Sequence, residues 1–174
     1  MMPGDEDYEI VGEKLATQFD NLYVGLVSRK TAGFYEGVDD MLGSIPPNVA
    51  LGALTNACVD YAHAVFKANS GTGENMRYSE RFKSVHGADS VPKPKPAADG
   101  LLQVCQDLSV APTDCVYVGD SPSDAMAAHN AGMQSIGVLW GSHAKESLEN
   151  APFSILCSSV EELYDTLGLS QNVP

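Results

Sequence analysis

The chain has 174 residues, of which 44% are apolar and 19% are charged. This suits one compact domain with a buried core, or one domain with a small appendage, and excludes a wholly disordered chain. Ten lysines and arginines against 23 aspartates and glutamates give a formal charge of −13. This balance argues against nucleic-acid and anionic-membrane partners, because a surface of phosphate groups would be repelled.

Neither a secretory leader nor a membrane span is visible in the sequence. The amino-terminal segment has no basic region followed by an apolar stretch, and no run approaches the ~18 apolar residues that a membrane helix needs. The four cysteines (Cys58, Cys105, Cys115 and Cys157) form no zinc-binding spacing. We therefore expect a cytoplasmic protein whose thiols are reduced and pack as small apolar side chains.

The segment before residue 46 is predicted to contain helices separated by a break. Apolar residues recur at helical spacing over residues 8–28, which predicts one or two amphipathic helices. Residues 33–37 interrupt this pattern, and residues 38–45 form another short helix. Pro46 and Pro47 end that helix because neither can continue it.

From residue 49 the pattern alternates between short apolar strands and helices, with an exposed connection at residues 70–79. Such alternation predicts a parallel α/β sheet. Ser121 and Pro122 are suited to begin one helix, and Gly132 to end it. The predicted elements are strands at 49–54, around 84–85, and at 115–118, 134–139 and 153–156, and helices at 59–69, 98–108, 122–131, 146–150 and 159–167.

Three polar clusters lie at or near the carboxyl ends of predicted strands, where parallel sheets carry their chemistry. They are Thr55 with Asn56, the lysines Lys93 and Lys95, and Asp120 with Asp124. Each has a structural alternative: a strand-end threonine bonding the local backbone, a solvated loop lysine, and an acidic residue that caps a helix.

These segments together resemble the haloacid dehalogenase (HAD) superfamily of phosphohydrolases, and within it the phosphoglycolate-phosphatase-like branch. The resemblance covers residues 34–167 and is strongest over 93–141. It implies a Rossmann-like parallel sheet flanked by helices (residues 34–174), preceded by the remnant of a helical cap (residues 1–33). The matching segments are Ala-Leu-Thr-Asn at 53–56, Lys-Pro-Ala-Ala-Asp-Gly-Leu-Leu at 95–102, Val-Tyr-Val-Gly-Asp-Ser-Pro-Ser-Asp at 116–124 and Ala-Gly-Met at 131–133.

The resemblance also implies a magnesium-dependent hydrolysis of a small phosphorylated metabolite, a phosphate monoester, through an aspartyl-phosphate. Thr55 and Asn56 would bind the phosphoryl oxygens, Lys95 would neutralise them, and Asp120 and Asp124 would hold Mg²⁺. For Asp124, capping and metal binding carry equal weight. Lys95 fits the register of the branch better than Lys93 does, although Ala98 stands where the branch usually has proline.

The family's first motif, Asp-x-Asp-Gly-Thr after an apolar strand, does not occur in these 174 residues. Its first aspartate attacks phosphorus and its second acts as acid and base. In the family this strand lies mid-sheet, between the strands that end at Thr55 and Asp120. The sheet therefore either closes directly or leaves a slot open to self-association or to a partner chain.

Three interpretations follow from the missing motif. We favour an amino-terminally truncated chain whose intact parent is a phosphatase and which is inactive alone. The second is a non-catalytic protein that binds phosphate or metal and regulates a partner. The third, a receiver-like signalling domain, needs a phosphate-accepting aspartate on a central strand, and none is visible.

Overall fold

Helices and strands alternate along the chain, as the sequence pattern predicts. The structure is a computed structural model that describes residues 5–70 and 78–169, without the side chains of residues 5–7 and 9. The strands are β1 (Leu51–Leu54), β2 (Phe82–His86), β3 (Val116–Gly119), β4 (Gln134–Val138) and β5 (Ile155–Cys157). The helices are α1 (Asp5–Gly25), α2 (Val38–Ser44), α3 (Val59–Asn69), α4 (Tyr78–Arg81), α5 (Asp99–Leu108), α6 (Pro122–Ala131), α7 (Lys145–Glu149) and α8 (Val160–Thr166).

The strands form two separate parallel sheets. One contains β1 and β2, and the other has the order β3-β4-β5. Every pairing is parallel, which confirms the α/β class predicted from the alternation of elements. No described strand joins β1 to β3; both border an apolar opening of about 690 Å³, called here the central cleft. The described residues thus leave a slot at the place that the family resemblance predicts.

Helices cover both faces of the strands. On one face α5 and α6 pack through a small core that contains Leu101 and Ala127. On the other, α2 and α8 cover the β3-β4-β5 sheet through a larger core around Met41, Ile136 and Leu163. Parallel strands need such covering on both sides, because their faces are apolar.

Helix α6 begins and ends where its sequence signals predict. The Ser121 hydroxyl accepts the backbone N–H of Asp124, and the Asp124 carboxylate accepts the backbone N–H of Ser121, which forms a reciprocal capping box. Pro122 occupies the first turn, where it removes no helical hydrogen bond. Gly132 ends the helix at φ 70°, a left-handed conformation that glycine adopts without strain.

Two segments differ from their predictions. The apolar pattern at residues 8–28 belongs to a single helix, α1, which ends at Gly25. Many of its apolar side chains are exposed. Tyr23 of α1 stacks on Tyr61 of α3, with ring centroids 4.5 Å apart. Residues 71–77 of the predicted exposed connection lie outside the described residues. Tyr78, at its end, is instead buried in a helix because its ring packs edge-on against Phe34.

None of the described helices is both long and apolar enough to cross a membrane. The four cysteines are free thiols, of which Cys105 and Cys157 are buried and Cys58 and Cys115 are half-buried. This agrees with the expectation of reduced cysteines that pack as small apolar side chains. The division into a cap remnant at residues 1–33 and a core at residues 34–174 stays a prediction.

Candidate phosphate and metal site

Lys95 lies at the centre of a polar site at the carboxyl ends of β1 and β3. Its ammonium group is 2.6 Å from Oδ1 of Asp124, and the two side chains are only 9% and 5% exposed. The same nitrogen donates to the Tyr117 hydroxyl at 3.0 Å and to the Leu54 carbonyl at 3.3 Å. The lysine is therefore a buried cation held between the loops that follow two different strands.

Asp124 is the anion of this pair, and both of its oxygens accept hydrogen bonds. Oδ2 accepts the backbone N–H groups of Asp120 and Ser121 at 3.1 and 3.0 Å and the Ser121 hydroxyl at 2.7 Å. Burial alone would raise the pKa of Asp124, but the Lys95 charge and these donors outweigh it, so the pKa lies below its ordinary value. The predicted capping role is confirmed, and direct metal binding by Asp124 stays a prediction.

Tyr117 is a member of the site that the sequence analysis missed. Its hydroxyl donates to Oδ1 of Asp124 at 3.0 Å while it accepts from Lys95. Burial and then the neighbouring charge of Asp124 raise the pKa of Tyr117 well above its ordinary value. The hydroxyl therefore keeps its proton and acts as a donor that steadies the ion pair.

Thr55 and Asn56 meet the lysine from the end of β1. The Asn56 side chain donates to the Lys95 carbonyl and accepts the Lys95 backbone N–H, both at 3.0 Å, so it fixes the backbone of the lysine. The Thr55 hydroxyl accepts the Ala57 N–H at 3.1 Å, as the structural alternative predicts. Its own proton has no described acceptor and can be donated to a ligand.

Asp120 follows β3 and faces the loop after β4. Its Oδ2 accepts the backbone N–H of Ser142 at 2.7 Å and the Ser142 hydroxyl at 2.8 Å. A Cβ on Gly141 would lie 2.2 Å from the Cβ of Asp120, so only glycine allows this close approach. The sequence analysis assigned no role to residues 140–143, and their position beside β3 is a result of sheet order.

The donor set suits one carboxylate ligand to a magnesium ion. Among the described residues, no group of three or more histidine, cysteine, aspartate or glutamate side chains could hold a metal. Mg²⁺ commonly uses one or two protein carboxylates and completes its shell with water and substrate phosphate. Oδ1 of Asp120 has no described partner and fits such a site, whereas both oxygens of Asp124 are already engaged.

The structure brings together the three polar clusters that the sequence singles out. Lys95 contacts Asn56 and Asp124, and Asp124 accepts the N–H of Asp120. Lys93, the alternative lysine, is exposed two residues away. Lys95, which the register argument favours, is thus the lysine that contacts the other two clusters, and its role at a phosphate site stays a prediction.

Comparisons with known proteins agree with this fold. Residues 6–138 match the family model of haloacid dehalogenase-like hydrolases. The chain is 29% identical over 169 residues to phosphoglycolate phosphatase of Escherichia coli K12, covering 97% of this chain and 62% of that protein. It thus spans less than two thirds of the length of such relatives.

Solved structures show the same fold. A hydrolase from Pseudomonas syringae aligns with a TM-score of 0.70 at 21% identity, covering 97% of this chain and 75% of the other. CbbY from Rhodobacter sphaeroides, solved in complex with phosphate, aligns with a TM-score of 0.64 at 25% identity, covering 74% of this chain and 55% of the other. The parallel strands, the lysine–aspartate site and the family match together place this chain in the family of haloacid dehalogenase-like hydrolases.

Proposed function

We propose that this site binds the phosphoryl group of a small phosphate monoester together with Mg²⁺, as part of a phosphatase. The observation that carries the proposal is the buried Lys95 ammonium, which is held at the carboxyl ends of two parallel strands by Asp124. The similarity to a phosphoglycolate phosphatase and to a fold solved with phosphate supports it.

Each side chain has a distinct task in this proposal. Lys95 supplies positive charge and hydrogen bonds to phosphoryl oxygens, and Asp124 holds the ammonium in position. The Thr55 hydroxyl donates its proton to another phosphoryl oxygen, and the backbone N–H of Asn56, which has no described acceptor, can add a third contact. Asp120 would hold Mg²⁺, which neutralises charge on the phosphoryl group when it is bound.

Hydrolysis through an aspartyl-phosphate needs a carboxylate that attacks phosphorus. The 174 residues contain no Asp-x-Asp-Gly-Thr motif, so we expect that group to come from outside them. This chain alone should hydrolyse p-nitrophenyl phosphate with Mg²⁺ no faster than buffer does. A turnover that Asp120→Ala abolishes would contradict this and reveal a nucleophile within the chain.

Inorganic phosphate is the direct probe of the proposed site. Titration with phosphate in the presence of Mg²⁺, followed by ³¹P NMR and calorimetry, should show binding by the wild-type chain. Lys95→Gln should abolish it, whereas Lys93→Gln, two residues away and exposed, should not. Folding of both variants is checked by circular dichroism. Failure of the wild type to bind phosphate, or equal loss in both variants, would refute the proposal.

The missing motif also favours a second function, in which the chain binds phosphate or metal without catalysis and regulates a partner. The two functions differ in one measurement, because a regulatory protein binds phosphate but never turns over a phosphate ester, even as the whole gene product. A cytoplasmic location, and the absence of nucleic-acid and membrane partners, stay predictions in either case.

A further inference from the structure

A second cluster of polar side chains, called here the His86 cluster, consists of His86, Ser90 and Asp107. His86 ends β2, Ser90 lies in the loop that follows, and Asp107 lies in the last turn of α5. Nε2 of His86 is 2.8 Å from Oδ2 of Asp107, and Nδ1 is 3.2 Å from the hydroxyl oxygen of Ser90. The imidazole therefore bridges a carboxylate and a hydroxyl, and the proposed phosphatase function gives these groups no task.

The Asp107 carboxylate is held in place at both oxygens. Oδ2 also accepts the Ser84 hydroxyl at 2.8 Å, and Oδ1 accepts the side-chain amide of Gln103 at 2.9 Å. Hydrogen bonds, of which the one to His86 has the largest effect, lower the pKa of Asp107 to about 2, so the group is ionised at neutral pH. Because a carboxylate only accepts, Nε2 carries the proton, and Nδ1 of neutral His86 presents a lone pair to Ser90.

The Ser90 hydroxyl is fixed in position and open to solvent. Its oxygen accepts the Gly87 N–H at 2.9 Å, and the residue is exposed. The loop is tied to the start of α3, where the Asp89 carboxylate accepts the Val59 N–H at 2.8 Å. The Gly87 carbonyl, 3.1 Å away, is a second acceptor for the hydroxyl proton, so directing that proton to His86 needs only a rotation about the C–O bond.

We propose that Ser90 is an activated nucleophile that takes up the acyl group of a small uncharged carboxylic ester, with His86 as its base and Asp107 orienting His86. A nucleophile, a base and an orienting group in hydrogen-bond contact are the arrangement that acyl transfer to serine uses. An exposed loop offers few contacts to a large acyl group, which favours a small one. The formal charge of −13 disfavours an anionic ester.

The proposed reaction consumes only the ester and water. Oγ of Ser90 bonds to the ester carbonyl carbon while its proton passes to Nδ1 of His86, and the alkoxy group then leaves with that proton as an alcohol. Within residues 5–70 and 78–169, the N–H of Val91 has no acceptor, so it can donate to the oxyanion, as the residue after the serine does in α/β-hydrolases. Water then attacks the acyl-serine, with His86 again as base, and the carboxylic acid is released.

A second serine–histidine contact provides an internal comparison. Oγ of Ser142 is also 3.2 Å from Nδ1 of His143, but the neighbouring carboxylate, Asp120, accepts from the serine instead of the histidine. No carboxylate in the described part of the chain bonds to His143, so nothing orients that ring as a base. We therefore expect Ser90 to react and Ser142 to remain unmodified.

A fluorophosphonate probe tests the reactivity of Ser90 without an assay of phosphatase activity. The serine oxygen bonds to phosphorus, fluoride leaves, and peptide mass spectrometry locates the product. The full chain should be labelled at Ser90 and not at Ser142, and Ser90→Ala, a change at an exposed position, should abolish the labelling. With p-nitrophenyl acetate, the same peptide should carry an acetyl group, and p-nitrophenol should appear in an initial burst.

Removing the base separates activation from a structural role. His86→Ala should slow the labelling of Ser90 by about a hundredfold or more, and added imidazole should restore part of the rate because the free base can enter the vacated space. His63→Ala, at an exposed position on α3, is the matched control and should react at the wild-type rate. Asp107→Asn, which places a donor opposite Nε2, should also slow the labelling, and it serves as the test if His86→Ala does not fold.

The proposal would be overturned by an unlabelled Ser90 in the wild type or by equal labelling of Ser90 and Ser142. Equal rates in His86→Ala and His63→Ala would also overturn it. A slower rate in His86→Ala that imidazole does not raise, in a variant with the wild-type circular dichroism spectrum, would show that His86 only supports the loop and would overturn its role as the base. None of these measurements involves phosphate, so they leave the function proposed above to its own test.

Discussion

Replacing Lys95 by methionine tests whether the site is built on a buried ion pair. The two charges are 2.6 Å apart and 9% and 5% exposed; at an effective dielectric constant of about 20 they attract by roughly 6 kcal/mol. Much of that attraction is offset by the cost of removing both charges from water, and breaking such a pair from one side costs about 3–5 kcal/mol. Because the Asp124 carboxylate keeps its other donors, we expect K95M to lower the free energy of unfolding by about 3 kcal/mol.

Urea unfolding at pH 7, followed by circular dichroism, measures this loss. Lys93→Met is the matched control and should change the stability by less than about 0.5 kcal/mol, as exposed substitutions usually do. The double variant K95M/D124N should recover part of the loss, since it leaves no unpaired buried charge. A loss below about 1 kcal/mol in K95M, or a further loss in the double variant, would refute the buried pair.

The difference in unfolding free energy between wild type and K95M should depend on pH. The pKa of Asp124 in the folded protein lies below its ordinary value of 3.8, so the stability it contributes is present above pH 3.8. It is lost as the pH falls through the lower folded pKa. The stability difference between wild type and K95M should therefore shrink under acid, and a difference that stays constant to low pH would point to lost packing instead.

Three further predictions concern the elements around the site. Ser121→Ala removes the cap of α6 and should lower the free energy of unfolding by about 1 kcal/mol in urea; an unchanged midpoint would mean that the capping box contributes little. Hydrogen bonds, of which the one to His86 has the largest effect, lower the pKa of Asp107 from 3.8 to about 2. The stability that the Asp107 carboxylate contributes is therefore present above pH 3.8 and is lost towards pH 2. Asp107→Asn should flatten that part of the stability–pH curve, and a curve that keeps its wild-type slope would show that other carboxylates set it. Gly141→Ala places a Cβ 2.2 Å from that of Asp120, so calorimetric titration with Mg²⁺ should show weaker binding, and wild-type affinity would exclude Asp120 as the ligand.

Local signals in the sequence were sufficient for most elements. The helix predicted at 59–69 has the same bounds in the structure, and α6 lies between its predicted cap at Ser121 and its predicted stop at Gly132. Caps, prolines and apolar periodicity act over a few neighbouring residues, so no information about distant contacts is needed to predict these boundaries. The clustering of polar residues after strands follows in the same way, once the sheet is known to be parallel.

The sequence was less informative where a residue's environment depends on a distant segment. Tyr78 falls in a glycine-rich, polar stretch, but its ring packs against Phe34, 44 positions earlier in the chain. The sequence also could not predict that the apolar side of α1 is exposed. An amphipathic pattern shows which side of a helix is apolar, but it does not show whether another element covers that side.

The sequence by itself determined the α/β class and the order of the elements, and it singled out the polar residues of the candidate site, because all of these depend on local pattern. Only the tertiary structure decided that Tyr117 and Ser142 support the site, and that Lys95 rather than Lys93 pairs with an aspartate 29 residues away. It also decided that no strand among residues 5–70 and 78–169 joins β1 to β3. The physical reason is that burial, ion pairing and strand neighbours depend on contacts between distant parts of the chain, which only folding brings together.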